Sequence, residues 1–163
     1  MKLIIPLEIE NQIGEVVFQP GPFKETGVTL FGEKSGDDFV VLGIAGPGPN
    51  ATHEEFEYSG NNEYATMVFE DLKKGNPSLQ HIGELHVHPF GMRRLSQGDR
   101  ETVKEVLKEY TEFIAGVMQW GWRIKFYPYY FSKEKPDGER MEVELEGQTH
   151  RDNWFRFRRK RRR

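Results

Sequence analysis

Apolar positions in this chain recur with two different periods. Val28 to Phe31 and Phe39 to Ala45 are short, nearly continuous apolar runs joined through Gly36, Asp37 and Asp38, which is turn chemistry, so they predict a pair of strands. From Asn62 to Lys73 the period lengthens. Tyr64, Ala65, Val68, Phe69 and Leu72 recur at helical spacing with Met67 off the stripe, and Gly75 and Pro77 close that helix. Ile82 to His88 reads as another strand. Val103, Val106, Leu107, Tyr110, Phe113, Ile114 and Val117 predict an amphipathic helix of about eighteen residues, the clearest element of the sequence. Arg123 to Phe131 is expected to return as strand, with Pro128 at an edge or a bend. Two signals are weaker. Leu7 to Phe18 suits a helix although Gly14, Pro6 and the β-branched residues oppose it. Proline and glycine at 46 to 49 mark an irregular loop before a short strand at Phe56 to Tyr58. Strands interleaved with helices argue an α/β domain, and no internal repeat is visible.

Composition narrows the possibilities. With 163 residues, 36% of them hydrophobic and 13% aromatic, the chain can bury one core, so a single domain over residues 1–150 is expected. It has no cysteine, which excludes disulfides, thiolate metal sites and a cysteine nucleophile. No run approaches the roughly eighteen apolar residues of a membrane span, and the opening MKLIIPLEIE is too short and too soon acidic for a secretory signal. A cytoplasmic protein is the expectation.

Charge is distributed unevenly. Residues 156–163, RFRRKRRR, carry seven positive charges against a formal total of −3, so the body preceding them is near −10. Residues 151–163 are expected to form a basic, flexible tail. Arg156 to Arg163 suit a nucleic acid, an acidic protein or an anionic surface bound in a salt-sensitive way, or simply a solvated arm. Trp154, Phe155 and Phe157 add stacking capacity beside the arginines.

Glu84 to Asp99, ELHVHPFGMRRLSQGD, concentrates the candidate chemistry. Alternate side chains of a strand share a face, so His86 and His88 point the same way, roughly 6–7 Å apart. Pro89 and Gly91 end the strand and free the backbone to bring Asp99 back from a helix. Two imidazoles and one carboxylate leave a tetrahedral zinc ion one open position for water, the pattern of catalytic sites. Ser96-Gln97-Gly98-Asp99 also reads as a helix-capping box, and the two readings are compatible. His53, His81 and His150 stand alone and are read as structural or merely exposed.

His86-x-His88-Pro89 followed by Ser96-x-x-Asp99 resembles the signature of the JAB/MPN metallopeptidases, also called JAMM proteins. The upstream segment Glu25-Thr26-Gly27-Val28-Thr29-Leu30-Phe31-Gly32 fits that family's glutamate-glycine stretch, and Gly46 to Ala51 is similar to its bacterial branch. The resemblance runs from residue 1 to about 131. Val87 stands where many members have serine, and Val28 where a second glycine is common; neither is a ligand position.

The resemblance implies a curved mixed β-sheet flanked by helices, akin to the cytidine-deaminase-like fold. It also implies one zinc ion held by His86, His88 and Asp99 with water as fourth ligand. Zinc would lower the pKa of that water from 15.7 toward about 7, Glu25 would act as general base, and Ser96 would stabilise the oxyanion. Glu84 shares the strand face of the histidines and is read either as a hydrogen-bond partner that orients a ligand or as a rival base. The implied reaction is hydrolysis of peptide or isopeptide bonds after the C-terminal glycine of ubiquitin-like or sulfur-carrier proteins. Some MPN domains lose the metal ligands and serve as noncatalytic scaffolds, but here Glu25, His86, His88, Ser96 and Asp99 are all present.

Overall fold

The hairpin expected around Gly36 forms the middle of the sheet. In the computed structural model, which describes residues 1–18, 25–53, 58–59, 62–88, 91–119 and 123–147, strands β2 (Thr26–Ser35) and β3 (Asp38–Ala45) pair antiparallel from Thr29 opposite Ala45 to Ser35 opposite Asp38. Gly36 takes the turn at φ 62°, a conformation that glycine adopts without strain. The basic tail, Phe56 and His150 lie outside the described residues.

Around this hairpin are β1 (Lys2–Ile5), β6 (Gln80–Val87), β7 (Glu112–Gln119), β8 (Lys125–Ser132), β9 (Glu139–Arg140) and β10 (Glu142–Leu145), in the order β10-β1-β3-β2-β6-β7-β8-β9. Pairing is parallel at β10–β1, β1–β3 and β6–β7 and antiparallel elsewhere. Only Met141 separates β9 from β10, yet these strands stand at opposite ends of the order. The Met141 N–H donates to Pro128 O in β8, and the next residue, Glu142, donates to Met1 O. The sheet therefore curls until its two edges meet across one residue. A separate small pair, β4 (Thr52–His53) with β5 (Tyr58–Ser59), follows the irregular segment at 46–50.

The inside of the curl holds the main core. Leu3, Ile5, Leu30, Leu85, Ile114 and Met118 are fully buried there, and helix α1 (Leu7–Phe18) packs Ile9, Ile13 and Val17 onto them at four-residue spacing. The weakly signalled N-terminal helix thus forms over the expected residues, because burial of that stripe outweighs Gly14 and the β-branched residues. On the opposite face lie α2 (Asn62–Gly75) and α3 (Gln97–Val106). Tyr64, Ala65, Val68, Phe69 and Leu72 of α2 pack on Phe31, Ala45 and Leu79, while Met67 stays exposed. Among the described residues no helix is long and apolar enough to cross a membrane.

One expected element divides in two. The stripe from Val103 to Val117 does not form a single long helix: α3 ends at Val106, residues 107–111 turn, and Glu112–Gln119 is strand β7. Phe113, Ala115 and Val117 face α3, and Ile114 and Met118 face the main core. A strand buried on both faces is apolar at nearly every position, so it supplies residues to a helical template as readily as to a strand template. Pro128 fits within β8 because β9 pairs only with Tyr129 and Tyr130, and the Pro128 carbonyl accepts from Met141. Strands β6 and β7 approach closely at Gly83, where an added Cβ would lie 2.1 Å from Ile114 O.

Candidate metal centre

Strand alternation sorts the residues of β6. Leu85 and Val87 enter the main core, so Glu84 and His86 project from the other face, and His88 follows just past the strand end. Chain crossover does the rest. Because β7 is parallel to β6, the connection must return along the sheet, and α3 makes it; the helix therefore begins near the C-terminal end of β6, beside the histidines. Ser96 caps this helix as expected: Asp99 N–H donates to Ser96 Oγ at 3.1 Å, and Ser96 N–H donates to Asp99 Oδ2 at 2.6 Å. The box fixes the Asp99 carboxylate at the first turn, turned back toward the strand.

Three donor atoms converge there. His86 Nε2 is 3.4 Å from Asp99 Oδ1, His88 Nε2 is 3.3 Å from Asp99 Oδ2, and the two Nε2 atoms are 2.7 Å apart. Ligands at about 2.0–2.2 Å from a tetrahedral zinc stand about 3.3 Å from one another, so each imidazole already stands at ligand spacing from one of the two Asp99 oxygens; one shared oxygen and a wider gap between the imidazoles follow from side-chain rotation. His88 is 5% exposed, and among the described residues its Nδ1 has no hydrogen-bond partner. The donor set, two nitrogens and one oxygen, suits zinc and other divalent first-row metals. Burial opposes ionisation of Asp99, but hydrogen bonds from His86, His88 and Ser96 outweigh it and hold the carboxyl well below its usual range.

Glu25 reaches the same place from a distant part of the chain. Thr26 pairs with Val87, so the preceding residue falls opposite His88. Glu25 lines a cavity of about 140 Å³ with Glu84, His86, Asp99 and Thr102 as its other polar members and Leu95, Val103 and Phe113 among its apolar ones. Burial pushes the Glu25 carboxyl up, with Asp99 adding to the rise and His88 and His86 opposing it. Glu84 is open to solvent at the floor of this cleft, yet protein surrounds it closely enough that desolvation raises its carboxyl too, against the pull of His86. Both glutamates thus share one cavity with His86 and Asp99. Ser96 is exposed and does not line it.

Two features of the site escape sequence reading. The apolar wall is built by Val103 and Val106 of α3 together with Phe113 and Ala115 of β7, residues that the single-helix reading would have put on one helix. His81, which stands alone in the sequence, is wedged edge-on between Tyr110 and Phe113 and bonds the Tyr110 hydroxyl through Nδ1 at 3.1 Å. The signal available was its position five residues before His86 on the same strand.

Ser96→Ala is expected to lower stability by about 1 kcal/mol in urea denaturation, the usual cost of a lost N-cap, while leaving metal affinity nearly unchanged. The backbone N–H that orients Asp99 survives that substitution. A large fall in affinity would instead make the hydroxyl the orienting group.

The architecture defines a single-domain α/β protein with a curved mixed sheet. Comparison with solved structures finds this fold in the solution structure of protein DSY2949 from Desulfitobacterium hafniense, with a TM-score of 0.68 over 88% of this chain and 92% of that one at 16% identity. At that identity the likeness shows the fold alone. No family model matches the sequence. No curated protein matches it either.

Proposed function

We propose that this chain is a zinc-dependent peptidase or isopeptidase of the JAB/MPN kind, cleaving amide bonds after the terminal glycine of ubiquitin-like or sulfur-carrier proteins. The observation that carries this reading is the convergence of His86, His88 and Asp99 within 4.8 Å beside a cavity that also holds Glu25. Three ligands on one side and open space on the other is a catalytic rather than a structural arrangement.

Zinc, when bound, supplies Lewis acidity toward water and the amide carbonyl. The protein supplies the rest. Glu25, its affinity for protons raised by burial, takes a proton from water in the cavity and returns it to the leaving amine. In this reading the Ser96 hydroxyl, which accepts from Asp99 N–H beside the cavity rather than within its lining, keeps its own proton to donate to the carbonyl oxygen of a substrate seated at the triad, a contribution of about 2.7–4 kcal/mol at comparable donors. Leu95, Val103 and Phe113 limit water in the cavity and strengthen each of these interactions. Glycine at the cleaved bond lets the substrate backbone approach the triad closely.

Intact-mass analysis of zinc-loaded protein with a panel of glycine-ended ubiquitin-like precursors and conjugates tests the reading. Cleavage after the terminal glycine, absent from Glu25→Ala, is expected. A panel left whole by protein with confirmed zinc would overturn it.

A further inference from the structure

A second cavity, of about 330 Å³, lies next along β6, under α2. Glu84 lines both this cavity and the metal-centre cavity, so the two are neighbours along the strand. At about 3.3 Å per residue, Glu84 lies some 7 Å along the strand from His86, the reach of about two residues of extended peptide. Its wall is an interlocked aromatic cluster: Phe69 lies 5.2 Å from Phe31, Phe31 6.1 Å from His81, and His81 5.4 Å from Tyr110 between ring centroids. Thr66 and Asn62 of α2 provide neutral polar groups at its rim. Among the described residues the cavity lining holds one carboxylate, Glu84, and no lysine or arginine.

We infer that this cavity is a specificity pocket for a cationic side chain, arginine or lysine, about two residues from the bond cleaved at the metal centre. The inference rests on the proposed peptidase reading for the substrate's polypeptide nature and on the cavity itself for its charge preference. Aromatic faces and edges surround a long alkyl stem, and a guanidinium or ammonium at its end meets Glu84 with the Tyr110 ring nearby. Burial holds His81 toward its neutral form, so it brings no competing positive charge. A neutral apolar side chain would leave Glu84 without a partner, and an acidic one would be repelled by it.

Binding is measured first on metal-free protein, by amide chemical shifts during titration with N-acetyl-arginine methylamide and its norleucine and glutamate counterparts. The arginine probe is expected to shift Thr66, Phe69 and Tyr110 saturably and to bind about tenfold more tightly than norleucine. Thr66→Lys, which sets an ammonium at the rim, should abolish the preference, and Thr66→Gln should keep it. Equal binding of all three probes, or shifts confined to Gly91–Asp99, would overturn the pocket. Zinc-loaded protein is then given peptides carrying arginine or glutamate at each position within three residues of the cleaved bond. Arginine binding without any cleavage would leave the pocket and sink the peptidase reading; cleavage without an arginine preference would do the reverse.

Discussion

His88→Ala is expected to lower zinc affinity by well over 100-fold and to abolish turnover. Loss of a partner that merely orients a ligand already costs about 10–100-fold, and here one of three donors is removed outright. His88 is also the more buried of the two histidines, at 3% side-chain exposure against 17% for His86, so solvent offers no ready replacement donor on that side. Competition with a chromophoric chelator measures the affinity, and circular dichroism of the metal-free protein separates this effect from unfolding. Full zinc occupancy in folded His88→Ala would remove this residue from the site.

Glu25→Gln is expected to keep the metal and lose turnover by about 10²–10⁴-fold, the range over which a positioned acid–base group contributes. Glutamine preserves the size and shape of the side chain but replaces one acceptor oxygen with an NH2 that only donates, so it cannot take up a proton; KM should change little and kcat should fall. Glu84→Gln is the companion, because that carboxylate stands in the same cavity and burial raises it as well. Normal turnover in Glu25→Gln with loss in Glu84→Gln would transfer the base to Glu84. Measured zinc content in both variants keeps the comparison about proton transfer rather than metal loss.

These two residues also differ in how they became visible. His86 and His88 sit two apart on a strand that the sequence places correctly, and their shared face follows from alternation alone. Val87 enters the core as that alternation requires. Asp99 follows from the capping box, a local pattern that survives whatever the rest of the chain does. Glu25 has no local signal of its own. Only resemblance to a known family selected it, and its place opposite His88 depends on the pairing of β2 with β6 across about sixty residues.

The boundary at Leu107 shows the opposite limit. Phe113, Ile114 and Val117 continue the helical stripe of Val103 and Val106 on paper, and nothing between them is a strong breaker. What separates them is the sheet, because β7 can be apolar on both faces only when β6 and β8 flank it and α3 covers it. His81 is similar: its neighbours in sequence say little, while Tyr110 and Phe113 turn it into part of a cavity wall.

Short-range physics therefore determined the hairpin at Gly36, the α2 stripe, the alternation of β6 and the cap at Ser96, since each depends on residues within one or two turns or strand steps. The tertiary structure alone decided where α3 gives way to β7, which glutamates face the histidines, and that Glu84 lines two cavities. Those outcomes rest on strand register and burial between residues far apart in the chain, and no local period encodes which distant surface a side chain will meet.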